Sequence, residues 1–78
     1  MTKRIQIVGC MEDEEGDVRG FVPDNEAEFY SAYVGEPGAY LWVADFINKE
    51  DAKMFAELIA KRDGYVLDDQ TFTETRLQ

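Results

Sequence analysis

Glu12, Asp13, Glu14, Glu15, Asp17, Asp24, Glu26 and Glu28 put eight carboxylates into the eighteen residues 11–28, where Arg19 is the one opposing charge. Eight acids against one base account for seven of the nine net negative charges of the 78-residue chain. The other sixty residues hold nine acids and seven bases, close to neutral. Carboxylates at this density suggest three kinds of chemistry: holding a hard cation, moving protons, or imitating the charge of a nucleic-acid backbone.

The first two fit poorly. Glu12-Asp13-Glu14-Glu15-Gly16-Asp17 departs from the D-x-[DN]-x-[DN]-G-x₅-E calcium loop, with Glu where short Asp or Asn ligands are wanted. The chain has no His, which removes the commonest general base and the commonest metal ligand together. Cys10 is the lone cysteine, with no basic neighbour in sequence to activate it, and reads as a buried strand residue. Glycines 9, 16, 20, 35, 38 and 64 form no phosphate-binding pattern. A chain this short with one helix leaves little room for a deep cleft. The expectation is a protein that is not an enzyme, with no catalytic residue, no metal and no cofactor.

The third chemistry suits the composition better. A groove built to neutralise phosphates carries several Lys and Arg side chains, and clustered carboxylates gain steering and charge-assisted contacts there, both weakened by salt. The expected contact is Glu12, Asp13, Glu14, Glu15 and Asp17, supported by Asp24, Glu26 and Glu28. Tyr30, Tyr33 or Tyr40 would supply aromatic anchors, because tyrosine is enriched where few residues carry most of the binding energy. The partner implied is a larger protein with a basic groove. Direct nucleic-acid binding is not expected at a pI near 4.2. The same acidic run also reads as a solvated loop that keeps the chain in solution.

These residues need elements to hold them. The length suits one domain, residues 1–78, and one cysteine makes no internal disulfide. No signal peptide is visible, and no apolar run approaches the ~20 residues of a membrane helix. A cytoplasmic protein, monomeric or homodimeric and free of membrane, is the expectation. Residues 3–10 read as a strand, with Ile5 and Ile7 on one face. Residues 18–22 suggest a short second strand, ended by Pro23-Asp24-Asn25. Residues 29–34 and 40–47, rich in aromatic and β-branched types, read as a hairpin across a type II turn at Pro37-Gly38. A competing reading makes residues 26–34 a short helix, with Asn25 and Glu28 as a capping box and Gly35 as its stop.

The spacing predicts a helix over residues 49–62, with Asn48 as N-cap and Glu50 and Asp51 in the first turn. Ala52, Phe55, Ala56 and Ile59 form its apolar stripe, widened by Leu58. Lys61 and Arg62 favour the last turn, and Asp63-Gly64 ends it. Residues 65–67 read as a short strand turned by Asp68-Asp69-Gln70, and residues 71–76 as a final strand or ordered tail. The fold class is therefore α+β: an antiparallel sheet of three or four strands with one helix packed on one face. Trp42, Ala44 and Phe46 are assigned to the helix side. Leu41, Val43 and some of Tyr30, Tyr33 and Tyr40 then face outward. That face is either a partner or dimer surface or is covered by the first strand and the acidic loop.

The block Tyr40-Leu41-Trp42-Val43-Ala44-Asp45-Phe46, followed by Asn48-Lys49-Glu50-Asp51-Ala52-Lys53-Met54-Phe55-Ala56, resembles a pattern of many short phage and mobile-element proteins. Size, acidity and lack of catalytic residues are similar to small phage-encoded inhibitors of the anti-CRISPR and anti-restriction type. The resemblance covers under half the chain, and no functional residue carries over from it. It implies an inhibitor of a nucleic-acid-handling protein or defence complex in a bacterial host cell, acting by protein–protein contact. The alternative is a structural or adaptor module that assembles through its sheet face.

Overall fold

The computed structural model describes residues 3–73. In chain order the elements are β1 (Arg4–Glu12), β2 (Val18–Gly20), β3 (Phe29–Glu36), β4 (Ala39–Phe46), α1 (Lys49–Asp63) and β5 (Val66–Asp69). They form one five-stranded sheet with a single helix packed against it, an α+β fold.

β1 is the hub of the sheet. One of its edges pairs antiparallel with β3 along seven residues, from Arg4↔Gly35 to Cys10↔Phe29. The other edge is shared: β2 takes Cys10–Glu12 antiparallel, and β5 takes Arg4–Ile7 parallel. β4 pairs with the far side of β3 and forms the sheet's edge. The expected strands at residues 3–10, 29–34 and 40–47 are all present. Asp68 and Asp69, read as a turn, instead extend β5, which runs parallel because α1 carries the chain back across the sheet before it pairs. Thr71–Thr73 lie outside any strand, and residues 74–76 of the expected final strand fall outside the described residues.

Alternation along β1 separates two faces. Ile5 and Ile7 point to the helix side and pair with Val34 and Ala32, whereas Gln6, Val8 and Cys10 point away. The core joins Ile5, Ile7, Tyr30 and Ala32 to Ala52 and Ala56 of α1. Full burial of each isoleucine side chain stabilises by about 1.5–3 kcal/mol. The two small alanines face the sheet, and Phe55 beside them packs on Phe46 at a ring separation of 5.2 Å. Leu58 does not widen this stripe. It is 63% exposed, because it lies round the helix from Ala52 and Ala56.

Residues 26–34 do not form a helix. One tight turn follows Pro23, whose carbonyl accepts from the Glu26 and Ala27 amides, and the chain then enters β3. Pairing with β1 on one side and β4 on the other outweighs the local capping signal. Gly35 is thus a strand residue rather than a helix stop. Its φ of 145° and the Ala39 carbonyl, into which a Cβ would run, leave no room for a side chain. The turn Pro37-Gly38 joins the two strands as expected, with Gly38 at φ 87°.

β4 contains the main departure from simple alternation. Ala32 pairs with Ala44 but Tyr33 pairs with Trp42, so Val43 is an extra residue in a bulge. Ala44 and Phe46 face the helix as expected. Trp42 is turned to the opposite face and is 60% exposed. Among the described residues, no helix is long and apolar enough to cross a membrane.

Candidate functional site: an acidic hairpin and an aromatic sheet face

The acidic run is the β1–β2 hairpin and the segment leading to β3. Asp13 builds the hairpin turn. Its Oδ1 accepts from the amides of Glu15 and Asp17, each at 2.9 Å, and its Oδ2 lies 3.4 Å from Arg19 Nε. The Asp17 amide above all, with further help from Glu15 and Arg19, holds the Asp13 carboxyl below its ordinary range. Glu14, Glu15 and Asp17 are exposed around this turn. A shallow hollow of about 460 Å³ lies between Met11, Glu12, Asp13, Glu14, Glu15, Arg19 and Glu26.

Besides Asp13, two of the expected contact residues have structural work instead. Asp24 forms an ion pair with Lys49 at 2.5 Å, and its Oδ1 accepts the Tyr30 hydroxyl at 3.1 Å. Its amide donates to the Phe72 carbonyl at 2.7 Å, so Asp24 ties the loop to α1 and to the segment after β5. Tyr30 is 7% exposed and belongs to the core, not to a contact surface. Burial first, and then Asp24, push its phenol pKa up. The expectation of Tyr30 as an aromatic anchor is therefore corrected. It pairs with Gly9 and Phe46, which places its ring on the helix side.

Glu28 lies between the two roles. Its Oε1 accepts the Glu12 amide at 2.7 Å, and the residue remains exposed. Glu12, Glu14, Glu15, Asp17 and Glu26 are the exposed remainder of the acidic set. Among the described residues no group of three His, Cys, Asp or Glu is placed to hold a metal ion.

Tyr33 and Tyr40 are brought together on the sheet face away from the helix. With Gln6, Val8, Gly20 and Phe21 they line a hollow of about 300 Å³. Phe21 reaches it through a left-handed backbone, φ 58°, which is uncommon and costly for a bulky residue. Val8 and Cys10 lie buried on this face with no helix above them. Burial, with Cys10 nearby, raises the Tyr33 phenol pKa.

The same face carries residues that the sequence did not single out. Ser31 donates to Asp45 Oδ1 at 2.5 Å, and the Trp42 indole N–H donates to the same oxygen at 2.8 Å. The Cys10 thiol lies 3.6 Å from Ser31 Oγ. Serine, tryptophan and aspartate come together only because of the bulge at Val43, which no periodicity announces. What results is an α+β domain with an acidic hairpin at one end of its sheet and a partly exposed aromatic face beside it. Comparison with protein-family models, curated proteins and solved structures found no match to this chain.

Proposed function

We propose that this chain is a small acidic binding protein that inhibits or modulates a larger, nucleic-acid-handling protein by direct contact. Its most specific form is a phage or mobile-element inhibitor of a defence complex in the cytoplasm of a bacterial host. The observation that carries this reading is the hairpin. Glu14, Glu15 and Asp17 project around a turn that Asp13 ties together by hydrogen bonds, while the one local base, Arg19, is engaged by Asp13. A preorganised acidic tip of this kind suits a basic groove, and a net charge of -9 disfavours contact with nucleic acid itself. Chemistry on a substrate has no support in the residue set.

A nuclease-treated bacterial lysate passed over the immobilised protein, at low and at high salt, tests the reading. A nuclease, polymerase or defence complex retained at low salt and released at high salt is the expected result. The E14Q/E15Q/D17N variant should lose that capture, and unchanged capture by it would refute the acidic contact.

A second reading, assembly through the sheet face as an adaptor or homodimer, draws on the exposure of Trp42 at 60% and Phe21 at 57%. Light scattering separates the two. A dimer insensitive to salt favours the sheet face, and a monomer counts against it.

A further inference from the structure

A hollow of about 400 Å³ opens where β3 begins and β4 ends, lined by Glu28, Phe29, Asp45, Phe46 and Ile47. Three of its five residues are large and apolar, and Ile47 is 77% exposed. The other two are carboxylates, and neither has a Lys or Arg partner among the described residues. Each is held by one oxygen alone. Glu28 Oε1 accepts the Glu12 amide, and Asp45 Oδ1 accepts both the Ser31 hydroxyl and the Trp42 indole. Glu28 Oε2 and Asp45 Oδ2 have no protein donor among the described residues.

We propose that this hollow receives an arginine side chain of a protein partner. Oriented carboxylates beside aromatic rings fit a guanidinium closely: it donates in a planar fork, stacks on ring faces, and gives up its hydration more readily than an ammonium. Phe29, Phe46 and Ile47 suit the aliphatic stem. The uncompensated charge of the two acids selects a cation over a neutral apolar group, and fixing their first oxygens lowers the ordering cost of binding. The inference rests on the chain being a protein-binding module, but not on the acidic hairpin as its contact.

The test is a titration of the isotope-labelled full chain with acetyl-Gly-Arg-Gly-amide, followed by amide and indole NMR signals. The lysine and citrulline counterparts serve as controls. Trp42 is the single tryptophan, so its indole N–H is an unambiguous reporter of Asp45. The arginine peptide should shift that signal and the Phe29, Phe46 and Ile47 amides saturably, and citrulline should not. D45N and E28Q keep an oxygen for the existing donors, so both should fold, and each should weaken binding by about tenfold. Equal shifts with citrulline would overturn the proposal, and equal binding of lysine would overturn the choice of arginine. Shifts confined to Glu14, Glu15 and Asp17 would likewise refute the hollow. An inert hollow together with loss of partner capture in E14Q/E15Q/D17N would refute this inference alone and leave the hairpin reading standing.

Discussion

Trp42 and Asp45 are three residues apart on β4, yet the Trp42 indole donates to Asp45 Oδ1 at 2.8 Å. In a regular strand their side chains would leave opposite faces of the sheet. The extra residue Val43 brings them to the same face. Deleting Val43 should remove the bulge and leave Trp42 opposite Tyr33, on the same face as Asp45 and now two residues from it. The Trp42 fluorescence maximum should then stay close to the parent's, and a marked blue shift would show that the deletion turns the indole to the helix side instead.

Asp24 and Glu14 belong to the same acidic run but have opposite structural weight. Asp24→Ala strips the Lys49 ion pair and the Tyr30 hydroxyl acceptor and should cost about 1–3 kcal/mol. Glu14→Gln should stay within about 0.5 kcal/mol of the parent. Urea unfolding of the two variants, compared with the parent chain, checks both values. Equal losses would mean that the run acts as a single charged unit.

Ala56 is fully buried where α1 meets the sheet. Ala56→Leu should push the helix off Ile5 and Ile7 and cost about 1–3 kcal/mol. A thermal melt is sufficient to read it. A neutral result would require spare volume under the helix.

Gly35→Ala should destabilise by more than about 1 kcal/mol, since φ and space both exclude a Cβ. Gly20 is the control, because nothing lies within 4 Å of the position its Cβ would take. Chemical denaturation of both variants should separate them clearly.

Asp69 sets an acid limit on stability. Burial raises its pKa, but the hydrogen bonds from Thr71 and the ion pair with Lys53 outweigh that and leave it lowered from 3.8. A carboxyl with a depressed folded pKa contributes stability above its unfolded value and loses it as the pH falls through the folded one. Tyr30 acts at the other end. Its pKa is raised from 10.0, so its contribution is present below that value and lost as the pH rises through the folded one. Unfolding free energy should therefore decline below pH 3.8 and again above 10. Asp69→Asn should flatten the acid limb, and an acid limb as steep as the parent's would exclude Asp69 as a cause.

Much of the framework was legible in the sequence. The helix reads from Asn48, the stripe Ala52, Phe55, Ala56, Ile59 and the stop at Gly64, all local signals in agreement. The hairpin reads from Pro37-Gly38 between two aromatic runs. The orientation of Tyr30 was not legible, since both alternating sets of β3 contain aromatic residues and hydropathy alone does not choose between them. The face of Trp42 is hidden from periodicity because a bulge shifts the period by one residue without changing composition. The parallel pairing of β5 depends on where α1 returns the chain, a tertiary outcome that Asp68 and Asp69 contradict locally. The acidic hairpin was visible as charge, but not the division of its carboxylates into turn-builders, ties and free groups. Phe29, Ser31 and Asp45 are ordinary strand residues in sequence, and only the pairing of β3 with β4 brings them together.

β1 is the first of the described elements to be made, and β5 the last. Gln6 and Asp68, neighbours in the sheet, are 62 positions apart in sequence. On the ribosome, β2 and β3 become available to β1 before α1 is made, but the Arg4–Ile7 half of one edge waits for β5. At ~5–20 residues per second that wait lasts seconds, with an open strand edge beside Ile5 and Ile7. Closure of this sheet therefore waits until β5 has followed α1 out of the ribosome, and slowing the ribosome over α1 should lengthen the time in which a nascent chain is captured by chaperones.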